Sequence, residues 1–179
     1  ETDSRIGGFE IYLSRPELGS SLWETILEAG RSENIRPGSP NIIDRVEAGL
    51  LSFGNEMTVE NTPLECNMDK FLDINKKADY IGKKVLQRQI RYGIKRRIRG
   101  VIYNGPKLPT ISRPLQVFDI DKRTIVGSLT SGAFSPHFKR NIGVGMIKYG
   151  YWDNNKKILV NIADQEFREG LIKDLPLIQ

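Results

Sequence analysis

Two side chains with hydrogen-bonding chemistry stand close together early in the sequence, in "GGFEIYLSRPELGS", residues 7–20. Phe9, Ile11 and Leu13 alternate with Glu10 and Tyr12, the period of a strand with one apolar face. The opposite face then carries a carboxylate and a phenol. Gly7 and Gly8, just before, let a ligand or another backbone approach closely. Glu10 is either an acceptor turned toward such a ligand or an ordinary surface residue on an edge strand, and spacing alone leaves both open. Other reactive side chains are few. Cys66 is the single cysteine and His137 the single histidine. That excludes an intrachain disulfide and a His/Cys zinc site, so no metal is expected. A lone thiol fits a reducing, cytoplasmic compartment. His137 could act as a general base only with partners that the sequence does not identify. There is no P-loop, no dinucleotide glycine fingerprint, no nucleophile elbow and no paired-histidine helix. "GSLTSGAFSP" holds hydroxyls and glycines, but a strand ending in a turn accounts for it.

The elements that must position these residues fall into two textures. After the strand at 9–13, "SSLWETILEAG" predicts a helix with a Ser21/Glu24 capping box, a stripe of Leu22, Trp23, Ile26 and Leu27, and Gly30 at its end. In "RPGSPNIIDRVEAGLLSFG", Ser39 caps and Pro40 starts a second helix lined by Ile42, Ile43, Val46 and Leu50. Arg45 lies near that face, where its plain role is an ion pair with a neighbouring carboxylate. "ENTPLECNMDKFLDIN" predicts a loop running into a strand, and residues 79–90 a third, basic helix. From about residue 95 the apolar segments become short and β-like, separated by turn residues such as "NGPKLP", "DKR" and "DNNK". Several such strands with no helix between them predict a sandwich or barrel. The fold class is therefore α+β, with residues 1–90 as a mixed domain and 91–179 as an all-β domain.

Composition narrows the partners. The chain of 179 residues can bury a substantial core. No apolar run approaches a membrane span, and no signal peptide is visible. The chain does not begin with Met, so its natural start is expected upstream. The net charge of +5 is concentrated in residues 83–100, a run of Lys and Arg with no acid. Such a run can track phosphates. Without a glycine-aromatic RNA-binding signature, it reads instead as the solvated face of a helix followed by the outer face of a strand, and no nucleic-acid partner is expected.

The order of segments adds a resemblance. "GGFEIYL", "LEAG", "RVEAGLLSFGNEM", "TPLEC", "DYIGKKVL" and "GSLTSGAFSPHFKRNIGVGMIK" together resemble the folate-dependent aminomethyltransferases, the family of the glycine-cleavage T-protein, from about Gly7 to Leu177. Within the family the phrases "IRPGSPNIIDRVEAGLLSFGNEM", "PLECNMD" and "SPHFKRNIGVGMIK" are most similar to the dimethylsulfoniopropionate demethylases. Asn41 stands where a T-protein carries a folate-holding arginine, which favours the demethylase branch. The resemblance covers only a C-terminal half, and implies that catalytic residues and much of the donor pocket lie in an N-terminal half that would be a partner of this chain. It implies a partial folate-binding domain followed by a distorted jelly-roll-like barrel, with tetrahydrofolate as cofactor and a small-molecule methyl donor. Glu10 would accept two N–H donors from the pterin ring, as a carboxylate can. Tyr12, on the same side, would line the folate site. Arg45 matches an arginine of the family's helix and is either a structural ion pair or a folate contact. The T-protein alternative would require a lipoyl carrier protein as partner. A non-catalytic folate binder on the same scaffold is a further alternative.

Overall fold

A computed structural model describes residues 9–38 and 41–178, in two compact units that divide between Asn41 and Ile42. The expected cap at Ser39 and helix start at Pro40, and the glycines at 7 and 8, lie outside the described residues. No helix among the described residues is long and apolar enough to cross a membrane.

Among the described residues the first unit holds one α-helix, α1 (Gly19–Ala29), entered through a 3-10 turn at Pro16–Leu18. Pro16, with its φ preset for a helical turn, starts the coil ahead of Ser21. The expected capping box is therefore displaced. Ser21 sits inside the helix, and its carbonyl accepts the Thr25 hydroxyl at 2.8 Å. Gly30 does follow the last turn, its N–H reaching the Ile26 carbonyl at 3.0 Å. The expected buried stripe is only half-buried, and Trp23 is exposed. Residues 9–13 form no strand. A strand is held by a neighbour's amides and carbonyls, and no described strand pairs with this segment.

The second unit is built on six antiparallel strands: β1 (Arg96–Tyr103), β2 (Leu115–Phe118), β3 (Ile125–Ser135), β4 (Arg140–Lys148), β5 (Lys157–Ala163) and β6 (Glu166–Lys173). They close into a barrel in the order β1-β4-β3-β2-β5-β6. Closure leaves no unpaired edge. Alternating side chains such as Val101, Tyr103, Val117, Leu129, Ile147, Val160 and Ile172 fill the interior. A second cluster, Ile98, Ile142 and Val144, lies on the outer face under Val46 of α2 (Ile42–Ala48). The third helix, α3 (Lys83–Tyr92), starts later than predicted. Gly82 at φ +87 breaks the helical run ahead of it, and a residue with a Cβ rarely adopts that backbone. The strand expected after "ENTPLEC" is also absent. Instead Met68 N–H bonds the Pro63 carbonyl at 2.9 Å, and Asn67 turns left-handed at φ +57, which closes a turn.

The basic run divides between α3 and β1. Along β1, Arg97 and Arg99 share the parity of the interior residues Val101 and Tyr103, so they lie at the barrel rim rather than on the outer face as expected. There Arg97 meets Asp69 at 3.2 Å and Arg99 meets Asp174 at 2.8 Å.

Strands β3 and β4 are joined through a bulge between Leu129 and Ser131. Gly145 faces Leu129 there, and a Cβ on it would lie 1.9 Å from the Ser128 carbonyl oxygen. That neighbour is backbone and cannot rotate away. Gly145→Ala is expected to lower stability by about 3 kcal/mol, the upper end of overpacking costs. Urea unfolding of the two proteins measures it, and an unchanged midpoint would show that the bulge tolerates the methyl group.

Candidate functional site

The bulge decides where β3 sends its hydroxyls. Leu129 and Ser131 have the same parity and would face the same side of a regular strand. The extra residue between them instead pairs Leu129 with Gly145 and Ser131 with Val144. Ser131 is thereby turned outward, beneath α2, as bulges do elsewhere when they re-aim a side chain. Ser135 follows on the same outer side, opposite Arg140. The two serines receive two successive charges of α2. Arg45 Nη2 donates to Ser131 Oγ at 2.6 Å, and Ser135 Oγ donates to the buried carboxylate of Glu47.

Arg45 is the hub of the larger cluster. Its Nη1 donates to Glu56 Oε2 at 2.8 Å and to the Leu50 carbonyl at 3.0 Å, and its Nη2 reaches Glu56 Oε1 at 3.2 Å. This fork-on-fork geometry is the strong form of an Arg–carboxylate pair. Asn55 Nδ2 donates to both Glu56 Oε1 at 3.1 Å and Ser131 Oγ at 2.6 Å, and the Ser52 amide donates to Glu56 Oε2 at 2.7 Å. The Glu56 side chain is 0% exposed and that of Arg45 19%. Burial alone would raise the Glu56 carboxyl, but the hydrogen bonds from Arg45, Ser131 and Ser52, with the Arg45 charge, outweigh it and hold the group below its usual range. The ion pair expected for Arg45 is thus present, and both of its Nη atoms are engaged by the protein.

Glu10 and Tyr12 lie in the first unit. The Tyr12 hydroxyl donates to Glu10 Oε2 at 2.6 Å, so the two side chains do meet on one side. By accepting that hydrogen bond, Glu10 keeps the proton on the Tyr12 phenol and raises it above its ordinary value, with desolvation adding to the shift. Tyr12 is 88% and Phe9 96% exposed, so an acceptor and an aromatic surface are presented together. Such a pair can take a planar, polar ring bearing N–H donors. Cys66 offers no competing chemistry: burial, then the neighbouring Glu65, pushes its thiol up despite Arg96, and a thiol of that kind is a poor nucleophile.

Sequence reasoning did not anticipate Glu56, Asn55, Ser131, Glu47 or Ser135. The available signal was the pairing of Arg45 and Glu47 on α2 with hydroxyls four apart on β3. It becomes readable only once the bulge sets both serines on the outer side.

Two family models match the chain: the GCVT N-terminal domain over residues 6–76, and the glycine cleavage T-protein C-terminal barrel domain over residues 96–175. Dimethylsulfoniopropionate demethylase DmdA of Ruegeria pomeroyi is 42% identical over 149 residues, which are 83% of this chain and 40% of that protein. An aminomethyltransferase of Caldanaerobacter subterraneus is 37% identical over 167 residues, 92% of this chain and 43% of the relative. The crystal structure of glycine cleavage system aminomethyltransferase T from Bartonella henselae superposes with a TM-score of 0.73 at 20% identity, over 90% of this chain and 44% of that one. That likeness establishes a common fold. The chain spans less than half the length of these relatives. With both family models matching in order, and with the barrel closed where the second one lies, the chain belongs to the aminomethyltransferase family of the glycine cleavage T-protein.

Proposed function

We propose that the chain is the C-terminal part of a tetrahydrofolate-dependent one-carbon transferase that demethylates a sulfonium donor such as dimethylsulfoniopropionate. The observation that carries the reading is the 42% identity to the demethylase of Ruegeria pomeroyi. In this reading residues 1–90 complete a folate-binding domain, residues 91–179 form its C-terminal barrel, and the protein works in the cytoplasm. Glu10 accepts from the N–H edge of the pterin, with Tyr12 beside it. The exposed, hydrogen-bonded pair of these two fits that role. Arg45, with both Nη atoms already taken, is a strut that fixes α2 on the barrel rather than a ligand contact. The folate N5, when bound, is the nucleophile that accepts the methyl group. The protein's share of the work is alignment and exclusion of water, because a sulfonium is already a good leaving group.

A second reading, aminomethyl transfer from a lipoyl carrier protein, is supported by the longer match to the Caldanaerobacter aminomethyltransferase, 92% of this chain. The two readings predict different donors for the full-length protein. The first expects methyl transfer from dimethylsulfoniopropionate to tetrahydrofolate to exceed aminomethyl transfer from lipoyl carrier protein. The reverse preference would replace the first reading by the second. The 179-residue chain alone should transfer from neither donor, since catalytic residues are expected upstream. Turnover by the purified chain would overturn the division into halves.

A further inference from the structure

A cleft on the outside of the barrel, in the second unit, carries an inference beyond the proposed transferase activity. Its floor is a row of outward side chains set by strand register. Ile102 of β1 pairs with Leu171 of β6, and Leu171 pairs with Lys157 of β5. Leu159 of β5, 8% exposed, lies one step along, opposite Glu169. The turn between β2 and β3 contributes Ile120 and Lys122 as a wall, and Arg140 at the start of β4 closes the far side. The cleft measures about 350 Å³, within the range of small-ligand sites.

The charges around it are unusual for this barrel. Every other Lys or Arg borne on a strand has an oxygen partner: Arg96, Arg97, Arg99 and Arg168 in ion pairs, Lys148 on the Ile125 carbonyl, and Lys173 on Asn155 Oδ1. Arg140 and Lys157 are the strand cations with no such partner among the described residues, and both line this cleft. Lys122, the third cation, rests over the Phe167 ring at 5.8 Å and makes no ion pair among the described residues. Glu169 is the one carboxylate in the wall, and it pairs with none of the three. Three cations against one carboxylate, around a floor of aliphatic side chains, favour a ligand that carries both negative charge and apolar surface. A guanidinium takes a phosphate through parallel hydrogen bonds, and flanking ammonium groups match a second negative charge.

We infer that this cleft binds a soluble organic phosphate monoester with a short apolar body, which lies on Ile102, Leu159 and Leu171 while the positive charge of Arg140, Lys157 and Lys122 around that floor draws its phosphate. The test is calorimetry on the 179-residue chain with octyl phosphate below its micellar concentration, beside inorganic phosphate and octyl glucoside. Octyl phosphate should bind about tenfold more tightly than either, because each of the others offers one half of the recognition. Arg140→Ala combined with Lys157→Ala should weaken octyl phosphate about tenfold or more. Arg140→Lys should retain part of the affinity. Glu169→Gln should tighten it, because the one repulsive charge is gone. All of these positions are exposed, and unchanged melting curves check that the fold is intact. Equal binding of octyl glucoside, or no loss in the double variant, would overturn the inference. So would adsorption to phosphatidic acid vesicles without binding of soluble octyl phosphate, which would make the cleft a membrane-facing surface.

Discussion

Arg45→Met is expected to destabilise the second unit by about 3–5 kcal/mol, the cost of leaving a buried charge without its partner. The variant keeps an unbranched apolar stem and removes four donated hydrogen bonds, to Glu56 twice, to Leu50 and to Ser131. Glu56, fully buried, then faces only Asn55, Ser131 and the Ser52 amide. The pH dependence should also change sign at this residue. In the native protein the Glu56 carboxyl is lowered, so its charge stabilises the fold above the ordinary carboxylate value, and that contribution is lost as pH falls through the lowered folded value. Without Arg45, burial dominates and raises the carboxyl, so acidification relieves the buried charge. The stability gap between the two proteins should therefore narrow as pH drops through the carboxylate range. Urea unfolding of both proteins at neutral and acid pH measures this. The double variant Arg45→Met/Glu56→Met should recover much of the loss, because a buried ion pair and its apolar replacement are often close in free energy. If Arg45 served folate instead, Arg45→Met would leave the unfolding midpoint in place and weaken only the cofactor.

The pattern of what could be read beforehand follows from the range of the interactions involved. The strands of the barrel were visible as short, β-like apolar segments between turn residues, because each strand sends apolar side chains into the closed interior. The helices α1 and α3 were visible in the sequence, but their starts were not. Pro16 brought α1 forward and Gly82 held α3 back, and both act through backbone dihedrals that a hydrophobic pattern does not record. Residues 9–13 alternate as a strand does, yet a strand exists only where another chain segment answers its amides. Of the polar cluster, Arg45 could be marked from its place beside an apolar face. Its side-chain partners are 11 and 86 residues away in the chain. Their meeting depends on one extra residue in β3 that turns Ser131 outward, and two-residue periodicity predicts the opposite orientation for that serine.

Glu10→Gln is the variant expected to separate ligand binding from folding most cleanly. Glu10 and Tyr12 are exposed and bonded to each other, and Gln keeps a carbonyl oxygen that can still accept the Tyr12 hydroxyl. The fold should therefore be indifferent, within about half a kcal/mol, as for most surface substitutions. The pterin would not be indifferent. Where the carboxylate offers an acceptor to each of two neighbouring N–H groups, the amide turns an NH2 toward one of them. Losing one charge-assisted hydrogen bond and gaining a donor facing a donor should weaken tetrahydrofolate about ten- to a hundredfold in the full-length protein. Tyr12→Phe should cost less, because the ring surface remains and the carboxylate keeps its place opposite the pterin. The two variants thus order the contributions: charge first, hydroxyl second, aromatic surface unchanged. Calorimetric titration of tetrahydrofolate into the native protein and both variants reads that order directly. Equal affinity in Glu10→Gln and the native protein would return Glu10 to the status of a surface carboxylate, and the cofactor would then have to be held by residues outside this segment.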